Sequence, residues 1–214
     1  MSGPLFVSCI QAETEDMRMV IAVLQGSVRS ERMGDRAAKW VLAQLSARGH
    51  EAVLVDAGAL CLLLLDKMWK EIKDGPPPEY AELYAKLAPL AALYARTDGY
   101  LIVSGEYNNS VPPALSNLID YFLEEYAWRP AGIVCYSATP YGGVRAAMQL
   151  RALLPEVGMT SIPSLWPIPT IAKTLSPEGA AQDPKFNERA KKFFDEFEWY
   201  VRAMQAERAK GVPY

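Results

Sequence analysis

"GYLIVSGEYNNSVPPALSNLIDYF", residues Gly99 to Phe122, passes from an apolar run through a polar turn and a double proline into apolar residues at helical spacing. The run from Tyr100 to Val103 shows no alternation with polar residues, the pattern of a strand covered on both faces. Leu115, Leu118, Ile119, Phe122, Leu123 and Tyr126 then recur at the 3.6-residue period of a helix. A doubly buried strand leading at once into a helix is a building unit of a parallel sheet.

Four other stretches read as strands: "MVIAVLQGS" (Met19 to Ser27), "EAVLVDAG" (Glu51 to Gly58), "AGIVCYSA" (Ala131 to Ala138) and "GMTSIPS" (Gly158 to Ser164). Helical spacing fills the gaps between them. Met33, Ala37, Trp40, Val41, Gln44 and Leu45 form one face, with Gly49 as its stop. Tyr80 to Tyr94 forms another, in which Pro89 is expected to kink or split the helix. Gly143 to Leu154 and Pro184 to Lys210 supply the last two. Strand and helix therefore alternate, which with right-handed crossovers predicts an α/β sandwich with helices on both faces; the expectation is a flavodoxin-like three-layer arrangement, whose five-stranded parallel sheet has order 2-1-3-4-5.

The domain is expected to span residues 18–214, after a loosely ordered extension at residues 1–17 that carries Glu13, Glu15 and Asp16 and resembles neither a signal nor a transit peptide. At 214 residues, half of them apolar, the chain suffices for one domain. "DGPPPEY" (Asp74 to Tyr80) reads as a rigid proline turn, and Ser164 to Pro184 as a loop of about twenty residues, long enough to suggest a functional role.

Charge and composition exclude several functions. With 22 basic and 25 acidic residues the net charge is -3, which lacks the basic field that nucleic acid requires. No apolar run reaches the ~18 residues of a membrane span, the densest, Ala59 to Leu65, being stopped by Asp66, so a soluble protein is expected. Cys9, Cys61 and Cys135 are odd in number and without CxxC spacing, which favours a reducing, cytoplasmic setting over disulfides or zinc. Cys61 and Cys135 read as core fillers, and His50, in "RGHEAVL", as a solvated turn residue with no relay around it.

In such a sheet ligands bind beyond the carboxyl ends of the strands, where strands 1, 3 and 4 are neighbours. Those ends are the polar ones. After strand 1, in "QGSVRSERMGDRAAKW", Gly26 allows a tight turn, Ser27 and Ser30 offer hydroxyls, and Arg29 and Arg32 offer forked cations before a helix N-terminus. A phosphate monoester fits, and so does an ordinary capped surface helix; neither the GxxxxGK[ST] nor the GxGxxG pattern is present. After strand 3, Glu106, Asn108 and Asn109 offer hydrogen bonds to a planar heterocycle with Tyr107 against it, or form an Asx-rich turn at the start of a helix. After strand 4, in "YSATPYGGVRAAMQLR", Gly142 and Gly143 let backbone approach a ligand, with Tyr141 against its ring and Ser137 at its edge, or else make a plain strand-to-helix turn.

Taken together, "GSVRSERMGDRAAKWV", "EYNNSVPPALSNLIDYF" and "GGVRAAMQLR" resemble the phosphate loop, the PEYNxSxPxxLKNxID signature and the GGxRAxxQLR helix start of the NADPH-dependent FMN reductase family, which also contains quinone, azo-dye and chromate reductases. The likeness runs from about Met19 to Lys210 and includes "LLLLD" and the aromatic last helix. It implies FMN as cofactor, with Gly26, Ser27, Arg29 and Arg32 at its phosphate, Glu106, Tyr107, Asn108 and Asn109 along the ribityl and isoalloxazine, and Ser137, Tyr141, Gly142 and Gly143 on the other side. Gly105 stands where the family has proline, and Thr139 and Pro140 where it has glycines.

The implied enzyme takes electrons from NADPH or NADH and passes them through FMN to a small acceptor such as a quinone, azo compound, metal ion or free flavin, so no protein nucleophile is needed. An electron carrier of flavodoxin type and a flavin-independent binding module are the other readings of the same fold. Surplus aromatics on the third and fifth helices, together with the resemblance, point to a homodimer or homotetramer. Trp166, in the long loop, is expected either to wall the substrate pocket or to pack in the core or an interface.

Overall fold

The computed structural model describes residues 18–213; the expected extension over residues 1–17 lies outside them. In chain order the elements are β1 (Val20–Gln25), α1 (Gly34–Ala47), β2 (Glu51–Asp56), α2 (Ala57–Leu60), α3 (Trp69–Ile72), α4 (Ala81–Arg96), β3 (Gly99–Gly105), α5 (Pro113–Asp120), β4 (Arg129–Tyr136), α6 (Val144–Glu156), β5 (Met159–Ile168), α7 (Ile171–Thr174) and α8 (Pro184–Arg208). The strands form one sheet in the order β2-β1-β3-β4-β5, every pair parallel, as the alternation predicts.

The unbroken apolar runs serve two cores at once, because successive side chains point to opposite faces. Ala22 and Leu24 of β1, with Tyr100 and Ile102 of β3, face Leu87, Leu90 and Tyr94 of α4, Leu115 of α5 and Leu150 of α6. Ile21 and Val23, with Leu101 and Val103, face Trp40 and Val41 of α1 and Phe194 and Phe197 of α8. Each strand position thus belongs to one layer or the other, and the central strands β1, β3 and β4 are dry on both sides, while the edge strands β2 and β5 keep exposed positions.

Several expectations change. Pro89 does not split α4 into two elements: the helix runs from Ala81 to Arg96, with Pro89 on its exposed side while Leu87, Leu90 and Leu93 pack the other. The third helix is shorter than its apolar face, ending at Asp120, with a separate 3-10 turn at Glu124–Tyr126. The expected long loop is mostly ordered: β5 continues to Ile168 after a register shift near Ala131, α7 follows, and Leu175 bridges Ala181. Pro167 falls in the stretch read as a loop, yet β5 is an edge strand, where proline is tolerated. Trp166 stacks on Trp40 and meets Phe186 edge-on, so it is a core residue.

Most of the aromatics expected on the third and fifth helices are likewise consumed internally: Phe122 and Tyr126, beyond the end of α5, and Phe186, Phe193, Phe194 and Phe197 of α8 are buried, while Trp199 stands well out of the surface. Cys61 is exposed in a left-handed turn, a correction to its reading as a core filler, whereas Cys135 is buried in mid-strand. His50 is no solvated turn residue either. It is buried at the start of β2, where Nδ1 faces the Met19 N–H at 3.5 Å and Nε2 lies 3.1 Å from Glu198 of α8.

Arg48 donates to the same Glu198 oxygen at 2.7 Å and to Asp195 at 3.0 Å, tying α1 to α8. Burial alone would raise the Glu198 carboxyl, but the hydrogen bonds from His50 and Arg48 outweigh it and hold the group below the ordinary glutamate value. A carboxylate depressed in the folded state contributes stability above its unfolded pKa and loses it as pH falls through the folded value. Glu198→Gln is therefore expected to lower the urea midpoint at pH 7 and to lose less stability than the wild type on acidification from about pH 5 to about pH 3, as denaturation at stepped pH would show.

Candidate functional site

A cleft of about 450 Å³ opens at the carboxyl ends of β1, β3 and β4, within the usual size range of ligand pockets. A larger hollow of about 810 Å³ lies by Trp128, Arg129 and Arg208 at the opposite end of the sheet. The smaller one is the better candidate, because helix N-termini and turn N–H groups converge only at the carboxyl ends of parallel strands. Of the residues singled out by sequence, Ser27, Arg29, Arg32, Glu106, Tyr107 and Ser137 line it. Gly26, Asn108, Asn109, Tyr141, Gly142 and Gly143 stand behind or beside its wall.

The first wall is the loop from Gly26 to Met33. Gly26 is there for close packing: a Cβ would lie 2.5 Å from the Cβ of Leu115, so glycine lets α5 press against the end of β1. Beyond it, among the described residues, the backbone N–H groups of Val28, Arg29, Ser30 and Glu31 have no acceptor within the protein, while Ser30 and Glu31 form a turn that ends at Arg32. The α1 N-terminus has no side-chain cap. Unpaired N–H groups at a helix start form an anion cradle, and exposed Arg29, which has no ion pair, adds charge beside it. This donor set fits a phosphate.

Arg32 behaves differently from Arg29. Its Nε lies 2.7 Å from Asp35, Nη1 donates to the Ser27 carbonyl and to Asp56, both at 2.6 Å, and Nη2 pairs with the other Asp56 oxygen at 2.5 Å. Its donors are engaged inside the loop. Burial alone would raise the Asp56 carboxyl, but the Arg32 fork and the Gly58 N–H hold it below the ordinary aspartate value. The hydrogen bonds to Asp56 correspondingly hold Arg32 above its ordinary value against the opposing effect of burial.

The second wall is a two-residue hairpin in which Tyr107 and Ser110 exchange backbone hydrogen bonds at 3.0 and 2.9 Å. Asn108 and Asn109 occupy its tip with φ of 49° and 64°, left-handed values that asparagine accepts better than most residues. Both are exposed, and the turn itself explains their presence. The Tyr107 hydroxyl meets Ser27 at 2.8 Å, joining the first two walls. Glu106, its side chain only 7% exposed, pairs with Arg145 at 2.7 Å and accepts from the Arg145 N–H at 3.1 Å, which places a carboxylate at the α6 N-terminus.

The third wall follows β4. Gly143 has φ of 80°, and a Cβ there would sit 2.7 Å from the Tyr136 carbonyl, so this glycine seats α6 on the end of β4. Gly142, at φ 65°, backs onto Pro167 and Pro169. The Ser137 hydroxyl is occupied by Thr139 at 2.9 Å. Tyr141 is 64% exposed with the Arg145 guanidinium 5.0 Å above its ring. At the floor, burial pushes the Tyr136 phenol up to about 12, the Ser27 hydrogen bond opposing, and pushes the Cys135 thiol to about 12, so both stay neutral.

The sequence reading missed Asp56, Asp35, Tyr136 and Arg145. Asp56 ends β2, which pairs with β1, and an order of 2-1-3-4-5 already places that carboxylate next to the first loop. Arg145 was visible in "GGVRAAMQLR", but its partner Glu106 lies 39 positions away and no spacing rule joins them. The assembled cleft offers an anion cradle on one side and a flat, polar-edged slot between Tyr107 and the β4 loop; it contains no histidine.

Known proteins resemble this chain in sequence and in fold. The model of the NADPH-dependent FMN reductase family matches residues 19–173. An NAD(P)H-dependent FMN reductase of Schizosaccharomyces pombe is 28% identical over 185 residues, 83% of this chain and 88% of its own length. A quinone reductase of Pseudomonas putida is 31% identical over 139 residues, 63% of this chain and 68% of its own. Among solved structures, the flavoenzyme NAD(P)H:(acceptor) oxidoreductase FerB of Paracoccus denitrificans superposes with a TM-score of 0.66 at 19% identity, covering 85% of this chain and 98% of that one, a likeness of fold.

The contact of Gly143 with Tyr136 carries a testable consequence for the third wall. Gly143→Ala sets a Cβ at a left-handed φ against backbone, a strain on the order of 1–3 kcal/mol, and thermal unfolding should show the lowered midpoint.

Proposed function

The chain belongs to the NADPH-dependent FMN reductase family, and from that premise we propose that its cleft seats FMN with the phosphate on the Val28 to Glu31 N–H groups and Arg29, and that a quinone is the class of acceptor reduced. Bound FMN supplies the redox chemistry, accepting a hydride from NADPH or NADH and passing two electrons on. The protein's part is to bind and orient. Tyr107 and Ser27 close the ribityl side through their mutual hydrogen bond, while Glu106, Arg145 and the β4 loop fix the opposite wall. Tyr141, exposed beside that wall, offers a ring surface to an incoming planar acceptor.

The observation that carries this reading is the run of four N–H groups, Val28 to Glu31, that have no partner among the described residues, beside an arginine that has no ion pair among them. A backbone that leaves so many donors open at a helix N-terminus is shaped for an anion. The quinone class draws on the Pseudomonas putida relative and on a slot open to solvent at Tyr141. Pairing with a second copy is proposed too, now on different grounds from the α5 and α8 aromatics: Leu63 and Leu64 are 82% and 83% exposed, although Asn117 and Tyr121 fix the backbone around them.

The protein loaded with FMN and desalted is expected to retain a flavin spectrum that bleaches on anaerobic addition of NADPH or NADH and returns on adding a benzoquinone. Retained flavin that neither donor bleaches would count for an electron carrier instead. Arg29→Ala should weaken FMN binding roughly tenfold or more while leaving riboflavin binding unchanged, since one charge-assisted contact to phosphate is removed, and fluorescence titration reads both.

A further inference from the structure

We propose that Asp56 is a positioning residue for the cofactor: through its two-point pair with Arg32 it holds the Ser27 to Arg32 loop in the shape that turns the loop N–H groups and Arg29 toward the phosphate. This rests on the cleft's being the flavin site. The proposal departs from the simplest view of the loop, in which both arginines grip the anion.

Arg32 lies between two carboxylates, Asp56 and Asp35, with four polar contacts of 2.5 to 2.7 Å. One cation beside two anions presents no net positive charge to an incoming phosphate. Its planar fork instead matches the Asp56 carboxylate oxygen for oxygen, which a compact ammonium cannot do. Reaching back to the Ser27 carbonyl, the same guanidinium closes a ring of the intervening residues, and within that ring Glu31 is held at φ of 54°. A left-handed glutamate persists only where surrounding contacts impose it.

Asp56 is itself fixed from behind. It accepts from the Gly58 N–H at 2.8 Å as the N-cap of α2. A Cβ on Gly58 would lie 2.5 Å from Arg32 Nη1, so the absence of a side chain there lets the guanidinium in. Asp35 is anchored to β1 by Gln25 at 2.5 Å. The ends of β1 and β2 thus hold the loop through Arg32 before any ligand arrives, and preorganisation of this kind lowers the ordering cost of binding.

The test measures dissociation constants for FMN and for riboflavin, which lacks the phosphate, by flavin fluorescence in the full chain. The proteins compared are wild type, Asp56→Ala, Arg32→Lys and the double variant Asp56→Ala/Arg32→Ala. Asp56→Ala is expected to raise the FMN constant roughly tenfold to a hundredfold and to leave riboflavin within about twofold. Arg32→Lys keeps the charge but loses the fork, and should match it; the double variant should be no weaker than Asp56→Ala alone. Equal losses for both flavins, an unchanged FMN constant, or a further tenfold loss in the double variant would each overturn the proposal, the last by showing Arg32 on the phosphate itself. Wild type that binds neither flavin would overturn the reading of the cleft, and the role of Asp56 with it.

Discussion

Burial of β1, β3 and β4 on both faces is the constraint on which the rest of this molecule depends. A strand with helices above and below it has no room for polar side chains along its length, and these three run through the core as near-unbroken apolar segments. Polarity is displaced to the strand ends. At the carboxyl ends the parallel arrangement brings three turns side by side, each opening a helix or leading to one, so open donors and charged side chains collect in a single place. The cleft is the counterpart of the dry sheet.

Much of this was legible in the sequence because it is periodic or local. Five apolar runs and the helices between them carry their own period, and with right-handed crossovers a parallel sheet covered on both faces follows. Individual residues were less legible wherever their neighbours lie far along the chain. His50 looked solvated because its partner Glu198 is 148 positions away. Cys61 looked buried because apolar residues flank it, while its own backbone turns left-handed and outward. Pro167 read as part of a loop, although the edge position of β5 tolerates it within a strand.

The candidate site shows the same division. That Ser27, Arg29, Arg32, Glu106, Tyr107 and Ser137 share one cleft follows from strand order. What each side chain does there depends on its partners. Arg29 and Arg32 are equivalent on paper, three residues apart in one turn, yet the first extends into solvent and the second is enclosed by Asp35 and Asp56. The glycines Gly26 and Gly143 were read as making room for a ligand or a tight turn. Their Cβ positions instead collide with Leu115 and with the Tyr136 backbone, so these glycines permit packing of the scaffold that carries the walls.

The prolines of β5 have one more effect. Pro163 and Pro167 remove two amide donors from a ten-residue strand at the border of the sheet. A passing extended chain, whether another molecule of this protein or an unfolded segment, meets an incomplete ladder there and gains little by joining it. On that side the sheet is terminated chemically, and neighbouring backbone groups are taken up as well, the Ser164 N–H by Glu196 of α8 and the Pro163 carbonyl by Arg151 of α6, so little of the ladder is left for a stacked or fibrous assembly to extend.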